Sequence, residues 1–330
     1  MMATVARANK LMECGEYELA EAMFLECRNE SPENPAAYVG YARVAQMQCN
    51  WNEALLRWQR VLERFPGNIA ASIGKANTCL ELGKYEEAEA YYLEAQTKWP
   101  NDPRAFVGYA RAAQMQCRWT DAMLRWESAL GKWVSELERS PGNMVASIGR
   151  ANICLELGQF ELAETYFLDA QLKWPGNPNS FVGYARVAQM QCLWSEALKR
   201  WQVVLERFPK NMPASIGRAN ASLELEAYGD AETYFNEAQL KWPDNPNAFI
   251  GYARVAQMQY LWEEALVRWQ RVLDKFPYNV HAPVELGSVL LELGEFDKAE
   301  EIFLVAQKKW PNRNRPFYLH HRVLELQRRM

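Results

Sequence analysis

Apolar and polar positions along this chain follow a helical rhythm. In WNEALLRW (51–58), WSEALKRW (194–201) and WEEALVRW (262–269), two tryptophans stand seven residues apart with charged residues between them. Seven residues are two turns of helix, so the spacing predicts amphipathic helices that carry both rings inward. Turn segments such as FPGN (65–68) and WPND (99–102) separate the helices. The proline near each helix end stops it, and the next helix starts just beyond. No run approaches the roughly 18 to 20 apolar residues needed to cross a bilayer, so no membrane insertion is expected.

The pattern repeats. PAAYVGYARVAQMQC begins at Pro35, PRAFVGYARAAQMQC at Pro103, PNSFVGYARVAQMQC at Pro178 and PNAFIGYARVAQMQY at Pro246, offsets of 68, 75 and 68 residues. Between them lies a second type, ASIGKANTCLELGKYEEAEAYYLEAQTKWP, ending at Pro100, with counterparts ending at Pro175, Pro243 and Pro311. The unit is therefore half of 68, or 34 residues, in two alternating versions. The expected boundaries are 1–34, 35–68, 69–102, 103–143, 144–177, 178–211, 212–245, 246–279 and 280–313, within one solenoid spanning 1–330. A capping helix is expected over 314–330, its Arg315, Arg322, Arg328 and Arg329 suiting a solvated outer side.

Period and residue pattern together resemble the tetratricopeptide repeat family over nearly the whole chain. The small, turn and aromatic positions of that motif fall at Ala8, Gly15, Tyr17, Ala20, Phe24 and Pro32 in the first repeat. In the third they fall at Ala76, Gly83, Tyr85, Ala88, Tyr92, Ala95 and Pro100. Even repeats depart consistently, with Cys49, Cys117, Cys192 or Tyr260 at the turn and paired tryptophans, Trp51/Trp58, Trp119/Trp126, Trp194/Trp201 and Trp262/Trp269. Repeat seven has Glu226 at the turn and Gly229 displaced, which predicts local rearrangement there. The resemblance implies an all-α fold, a right-handed superhelical α-solenoid of about nine helix pairs plus the capping helix. One pair cannot bury its apolar face alone, so stacking is obligatory.

The 75-residue offset marks a seven-residue insertion in 103–143, where WESALGKWVSELERSPGN replaces WQRVLERFPGN. Two added turns lengthen the second helix without rotating its apolar face much. Trp133 and Leu137 fall here, and either local packing or a projecting ridge is compatible with the pattern.

In the family, repeat positions 2, 5, 9, 12 and 13 line the inner groove. Carried onto this chain, position nine supplies Asn9, Asn77, Asn152 and Asn220 in odd repeats, and Arg43, Arg111, Arg186 and Arg254 in even ones. Even repeats add Gln46, Gln114, Gln189 and Gln257, then Met47, Met115, Met190 and Met258. Amide side chains match a peptide main chain whatever its sequence, arginines grip carboxylates, and methionines suit an apolar anchor. The resemblance thus implies a non-catalytic scaffold or adaptor that binds a peptide or partner segment. A plainer alternative is that these arginines neutralise the odd-repeat glutamates, such as Glu81, Glu156 and Glu224, as a structural ladder. A different class is an accessory module of a bacterial glycosyltransferase or polysaccharide-related enzyme, which motifs such as WEEALVRW followed by Phe276-Pro277 resemble.

Composition narrows the field. Hydrophobic residues make up 49% and aromatics 12% of the 330, ample for a core, and the formal net charge of −4 lacks the basic surplus of a nucleic-acid binder. Seven cysteines lie scattered through helical positions, which reads as reduced thiols in a cytoplasmic protein. With three histidines and no CxxC pair, no metal site or other cofactor is expected. No phosphate loop, nucleophile elbow or histidine constellation points to an enzyme. The apolar ends of an open solenoid offer a route to homo-oligomers.

Overall fold

The computed structural model describes residues 2–13, 15–310 and 319–321. Eighteen helices fill the described residues up to Trp310, joined by tight turns. The first six are α1 (Met2–Glu13), α2 (Tyr17–Glu30), α3 (Pro35–Met47), α4 (Trp51–Arg64), α5 (Ile69–Glu81) and α6 (Tyr85–Lys98). Next come α7 (Pro103–Met115), α8 (Trp119–Arg139), α9 (Met144–Glu156), α10 (Phe160–Lys173), α11 (Pro178–Met190) and α12 (Trp194–Arg207). The last are α13 (Met212–Glu224), α14 (Tyr228–Lys241), α15 (Pro246–Met258), α16 (Trp262–Lys275), α17 (Ala282–Glu292) and α18 (Phe296–Lys309). The fold is an all-α repeat solenoid. Of the expected capping helix only 319–321 are described, and these are helical; its four arginines lie outside the described residues. By contacts the chain divides into two compact units, one of 1–54, 81–83 and 227–330, the other of 55–80 and 84–226.

Local sequence explains the helix ends. Asn34, Asp102, Asn177 and Asn245 each cap the helix that follows, their side-chain oxygens accepting from the backbone N–H two residues on, with proline at the first helical position. At the turn inside each pair the chain passes through a left-handed residue. Gly15, Gly83, Gly158 and Gly294 take φ of +71° to +82°, but Cys49, Cys117, Cys192, Tyr260 and Glu226 hold φ of +56° to +60° in the same place. Two hydrogen bonds enforce it: Cys117 N–H donates to Gln114 and Arg118 N–H to Ala113, the Schellman arrangement that satisfies the last carbonyls of α7. The turn at Glu226 is therefore not rearranged. It has the same backbone as its neighbours, and Gly229 lies inside α14 with no left-handed φ.

Packing between pairs repeats just as regularly. Alanines such as Ala76, Ala88, Ala151 and Ala163 are fully buried where helices approach closely. A glycine in each first helix from α3 to α15 rests on an aromatic ring sixteen residues earlier: Gly74 on Trp58, Gly183 on Phe167, Gly217 on Trp201 and Gly251 on Phe235. In each tryptophan pair it is the second ring that is buried. Trp58, Trp201 and Trp269 are at most 2% exposed, whereas Trp119 is 61% exposed. The first ring opens its helix beside the turn, where the neighbouring helix has ended, so the expectation that both rings face inward holds for one of the two.

The lengthened α8 packs along its own extension and forms no projecting ridge. Ala122, Trp126, Ala129 and Trp133, three or four residues apart, are all buried in one stripe. Seven residues rotate an α-helix by only about 20° from full register, so the added turns keep the stripe on the same face.

Candidate binding site between the lengthened helix and its neighbours

In α12 one tryptophan serves both flanking first helices. Trp201 Nε1 donates to Gln189 on α11 at 3.2 Å, and its ring lies under Gly217 of α13. Trp269 likewise donates to Gln257 on α15 at 3.0 Å. In α8 these two roles fall on two rings. Trp126 stands in register with α7, as its neighbour Arg125 shows by donating to the Tyr109 carbonyl sixteen residues back, just as Arg200 donates to Tyr184. Gly149 of α9, however, rests on Trp133, where an added Cβ would lie 2.5 Å from Cε2. The inserted heptad is therefore 126–132, and Trp133 is the ring equivalent to Trp58 and Trp201 toward the following repeat. Seven residues advance the seat of α9 along α8 by about 10 Å.

A cavity of about 960 Å³ occupies the space so opened. Six residues expected in the groove line it: Asn77, Arg111, Gln114, Met115, Asn152 and Arg186. Sequence reasoning missed Trp126, Trp133, Met144, Asn177 and Asn179, which also form its wall; the break in the 68-residue offset was the signal that pointed there. In the other unit, Arg254, Gln257 and Met258 share a smaller cavity of about 260 Å³ with Trp269, His281 and Glu285. Asn220, Gln189 and Met190, and on α1 and α3 Asn9, Arg43, Gln46 and Met47, line neither cavity. Met47 and Met190 are exposed.

Hydrogen bonding sorts the expected groove residues. Tyr92 Oη donates to Asn77 Oδ1 at 2.5 Å, so that amide is held from beneath. Phenylalanines replace this tyrosine below Asn152 and Asn220, and among the described residues neither amide makes a side-chain hydrogen bond. Gln189 and Gln257 accept from tryptophans, and Gln257 Nε2 also donates to Glu285 at 3.4 Å. Arg186 pairs with Glu156 at 3.3 Å, which matches the neutralising ladder at that step. Arg104, at the cavity edge, is clamped on Asp102 at 2.6 Å.

A second arginine row is structural. Arg125, Arg200 and Arg268 stack on Tyr109, Tyr184 and Tyr252 at 3.6 to 3.8 Å and donate to the carbonyls of those tyrosines. They also reach back 36 residues to Glu89, Glu164 and Glu232. Burial works against the Arg200 charge, yet hydrogen bonds to Glu196 and Glu164 outweigh it and raise its pKa above the ordinary value. The same holds for Arg125 with Glu89 and Asp121. These joints tie neighbouring repeats together and face no cavity opening. Among the described residues no group of His, Cys, Asp or Glu gathers as metal ligands would, and no helix is long and apolar enough to cross a membrane.

The tetratricopeptide repeat family profile matches residues 48–103, 186–246 and 252–314, more than half of the chain, and the chain belongs to that family. Such arrays are protein-interaction scaffolds, generally without catalytic activity, and that is the class to which this protein belongs. The chain is similar to the Protein CTR9 homolog of Arabidopsis thaliana, 22% identical over 291 residues that cover 84% of this chain and 26% of that protein. It thus spans about a quarter of that relative's length. Among solved structures it is similar to human IFIT1 in its dimer with PPP-AAAA, with a TM-score of 0.54, 14% identity, and coverage of 97% of this chain and 81% of that one. It is also similar to a chain of the APC/C hetero-tetramer Cut9-Hcn1, with a TM-score of 0.51, 17% identity, and coverage of 87% and 55%. At these identities the likeness to the solved structures concerns the fold alone.

Proposed function

We propose that the protein is a non-catalytic adaptor whose first-helix face receives an extended segment of a partner protein. One observation carries this reading. Six of the residues that the family pattern assigns to the groove come together around a single open cavity, among them the unbonded amides of Gln114 and Asn152. An amide with a free donor and acceptor can pair with a peptide main chain irrespective of side chains. Structural pairs such as Arg186–Glu156 remove charge from this face, so main-chain recognition outweighs recognition by charge.

The test is affinity capture of partner from a lysate of the source organism, with wild type and with Asn152→Ala plus Asn220→Ala. Asn77 is left intact because its loss would remove the acceptor to which the buried Tyr92 hydroxyl donates. Each lost neutral hydrogen bond is worth about 0.5–1.5 kcal/mol, so the double variant should bind about tenfold more weakly with unchanged helicity. Equal capture by both proteins would remove this face from the proposal.

A further inference from the structure

In a solenoid each repeat touches only its neighbours. One place within the unit of 1–54, 81–83 and 227–330 breaks that rule. The turn between α1 and α2 lies against the segment that joins α14 to α15. A Cβ added at Gly15 would lie 2.8 Å from Trp242 Cδ1, so the backbone and the indole are already in contact. Asp244 and Asn245 stand close enough to the Tyr17 hydroxyl to act on its titration. Burial records the same contact. Tyr17 is 0% exposed, whereas Tyr85, Phe160, Tyr228 and Phe296, which open the second helix of other pairs, are only partly buried. Trp242 and Asn245 are likewise buried, while Trp99 and Trp174 and the caps Asp102 and Asn177 stay partly exposed.

Each side of this contact forms without the other. Gly15 takes φ of +82°, as Gly158 takes +71°. The same pair of backbone bonds holds both turns: Gly15 N–H donates to Met12 and Glu16 N–H to Leu11, just as Gly158 N–H donates to Leu155 and Gln159 N–H to Cys154. On the other side Asn245 N–H donates to Trp242 at 3.1 Å, as Asn177 N–H does to Trp174 at 3.0 Å. Neither turn needs its cover in order to fold. The closed contact also carries a penalty. The Tyr17 hydroxyl is buried and makes no hydrogen bond among the described residues. Burial raises its pKa above the ordinary value, the nearby Asn245 side chain works the other way, and Asp244 adds to the rise. A hydroxyl buried in this way loses its hydration with no bond in exchange, and water would reach it if the two faces parted.

We propose that this contact is a latch: it closes the first repeat onto the turn between α14 and α15 in the free protein, and it opens without unfolding either repeat. The apolar surface shared by Gly15, Tyr17 and Trp242 favours closure, and the stranded hydroxyl favours opening. Repeats that touch only their neighbours bend gradually, whereas a contact between distant repeats gives the array two discrete arrangements. A partner that binds the two arrangements unequally shifts the latch, and by linkage the state of the latch sets that partner's affinity. The latch stands whether or not the first-helix face receives a peptide segment.

The test is hydrogen exchange of the full chain, read by mass spectrometry and corrected for intrinsic rates, with each turn compared to its counterpart in register. Because the local hydrogen bonds match, a difference in exchange reports the cover. In wild type the amides of Asp244 and Asn245 should exchange at least about tenfold more slowly than those of Gly176 and Asn177. Gly15→Ala, whose Cβ meets Trp242, should remove that protection. Alanine is also strained at this positive φ, so Gly158→Ala and Gly294→Ala are the controls: φ is +71° and +76° there, and nothing lies within 4 Å of the added Cβ. Both controls should leave 244–245 protected, and their urea midpoints should match that of Gly15→Ala. From the other side, Trp242→Ala should speed exchange at Gly15 and Glu16 at least about tenfold, and Trp174→Ala should not. Equal exchange at the two turns in wild type would overturn the proposal. So would a Gly15→Ala variant that exchanges faster along the whole of α14 and α15, because the contact would then be part of the fold and no latch. Protection that rises with protein concentration would place the contact between two copies of the chain and overturn it as well.

Discussion

Two glycine-to-alanine substitutions at the lengthened helix should act in opposite directions. At Gly149 an added Cβ would lie 2.5 Å from Trp133 Cε2, 2.8 Å from Cζ2 and 2.9 Å from Cδ2. Carbon atoms pack at roughly 3.5–4.0 Å, and the ring is 93% buried, so neither side can yield without moving α8 or α9. Overpacking of this kind costs about 1–3 kcal/mol, against which alanine regains somewhat under 1 kcal/mol of helix propensity. At Gly131, on the exposed face of the same α8, an added Cβ meets nothing within 4 Å. There alanine should stabilise by about 0.5–1 kcal/mol. The propensity gain is common to both, so the two variants should differ by the overpacking cost, about 1–3 kcal/mol, in urea unfolding followed by circular dichroism, with Gly131→Ala above wild type and Gly149→Ala below it. If Gly149→Ala is neutral or stabilising, α9 is not seated on Trp133, and the derivation of the cavity fails with it.

Other outcomes follow from the same structure. Glu226 holds φ of +58°, a conformation that costs an ordinary residue about 1 kcal/mol or more, so Glu226→Gly should stabilise by several tenths to 1 kcal/mol in thermal unfolding; a loss would mean the turn has another backbone. Burial, with a smaller contribution from Glu87, pushes the Cys79 thiol up to about 11. Because the thiolate is the reactive form, iodoacetamide at pH 8 should modify the exposed Cys117 and Cys192 well before Cys79 by mass spectrometry, and prompt labelling of Cys79 in folded protein would contradict its burial. Arg200 makes four polar contacts while 12% exposed, to Glu164, Glu196 and the Tyr184 carbonyl and ring. Arg200→Lys cannot reproduce the fork and should cost about 2 kcal/mol in urea unfolding; a neutral result would reduce the repeat-to-repeat joint to a surface ion pair.

Much of the fold was legible because each repeat states the same facts again. The buried alanines, the turn residues and the prolines recur at fixed positions, and their meaning is local. The seat of α9 was not legible, for a specific reason. Sixteen residues beyond Trp126 lies Gly142, and sixteen beyond Trp133 lies Gly149, so both rings have a glycine at the right distance. A heptad keeps the apolar stripe in phase, and pattern alone cannot say which ring carries the next helix. Glu226 misled for another reason: the left-handed turn is held by backbone hydrogen bonds to the preceding helix, which any residue can make at a cost, so glycine is favoured there without being required. The joints from Arg125, Arg200 and Arg268 to glutamates 36 residues away depend on contacts between repeats that no single repeat displays, and the bond that occupies Asn77 depends on how α5 and α6 pack inside one repeat.

The most direct test of binding by the first-helix face is site-specific photo-crosslinking. A benzophenone amino acid is placed at Asn152, beside the cavity, or at Leu172, which is 84% exposed on α10 and lines no part of it. After irradiation in lysate, crosslinked partner should appear with the probe at 152 and be sharply reduced with the probe at 172. Equal capture at both positions, or capture at 172 alone, would contradict binding on this face.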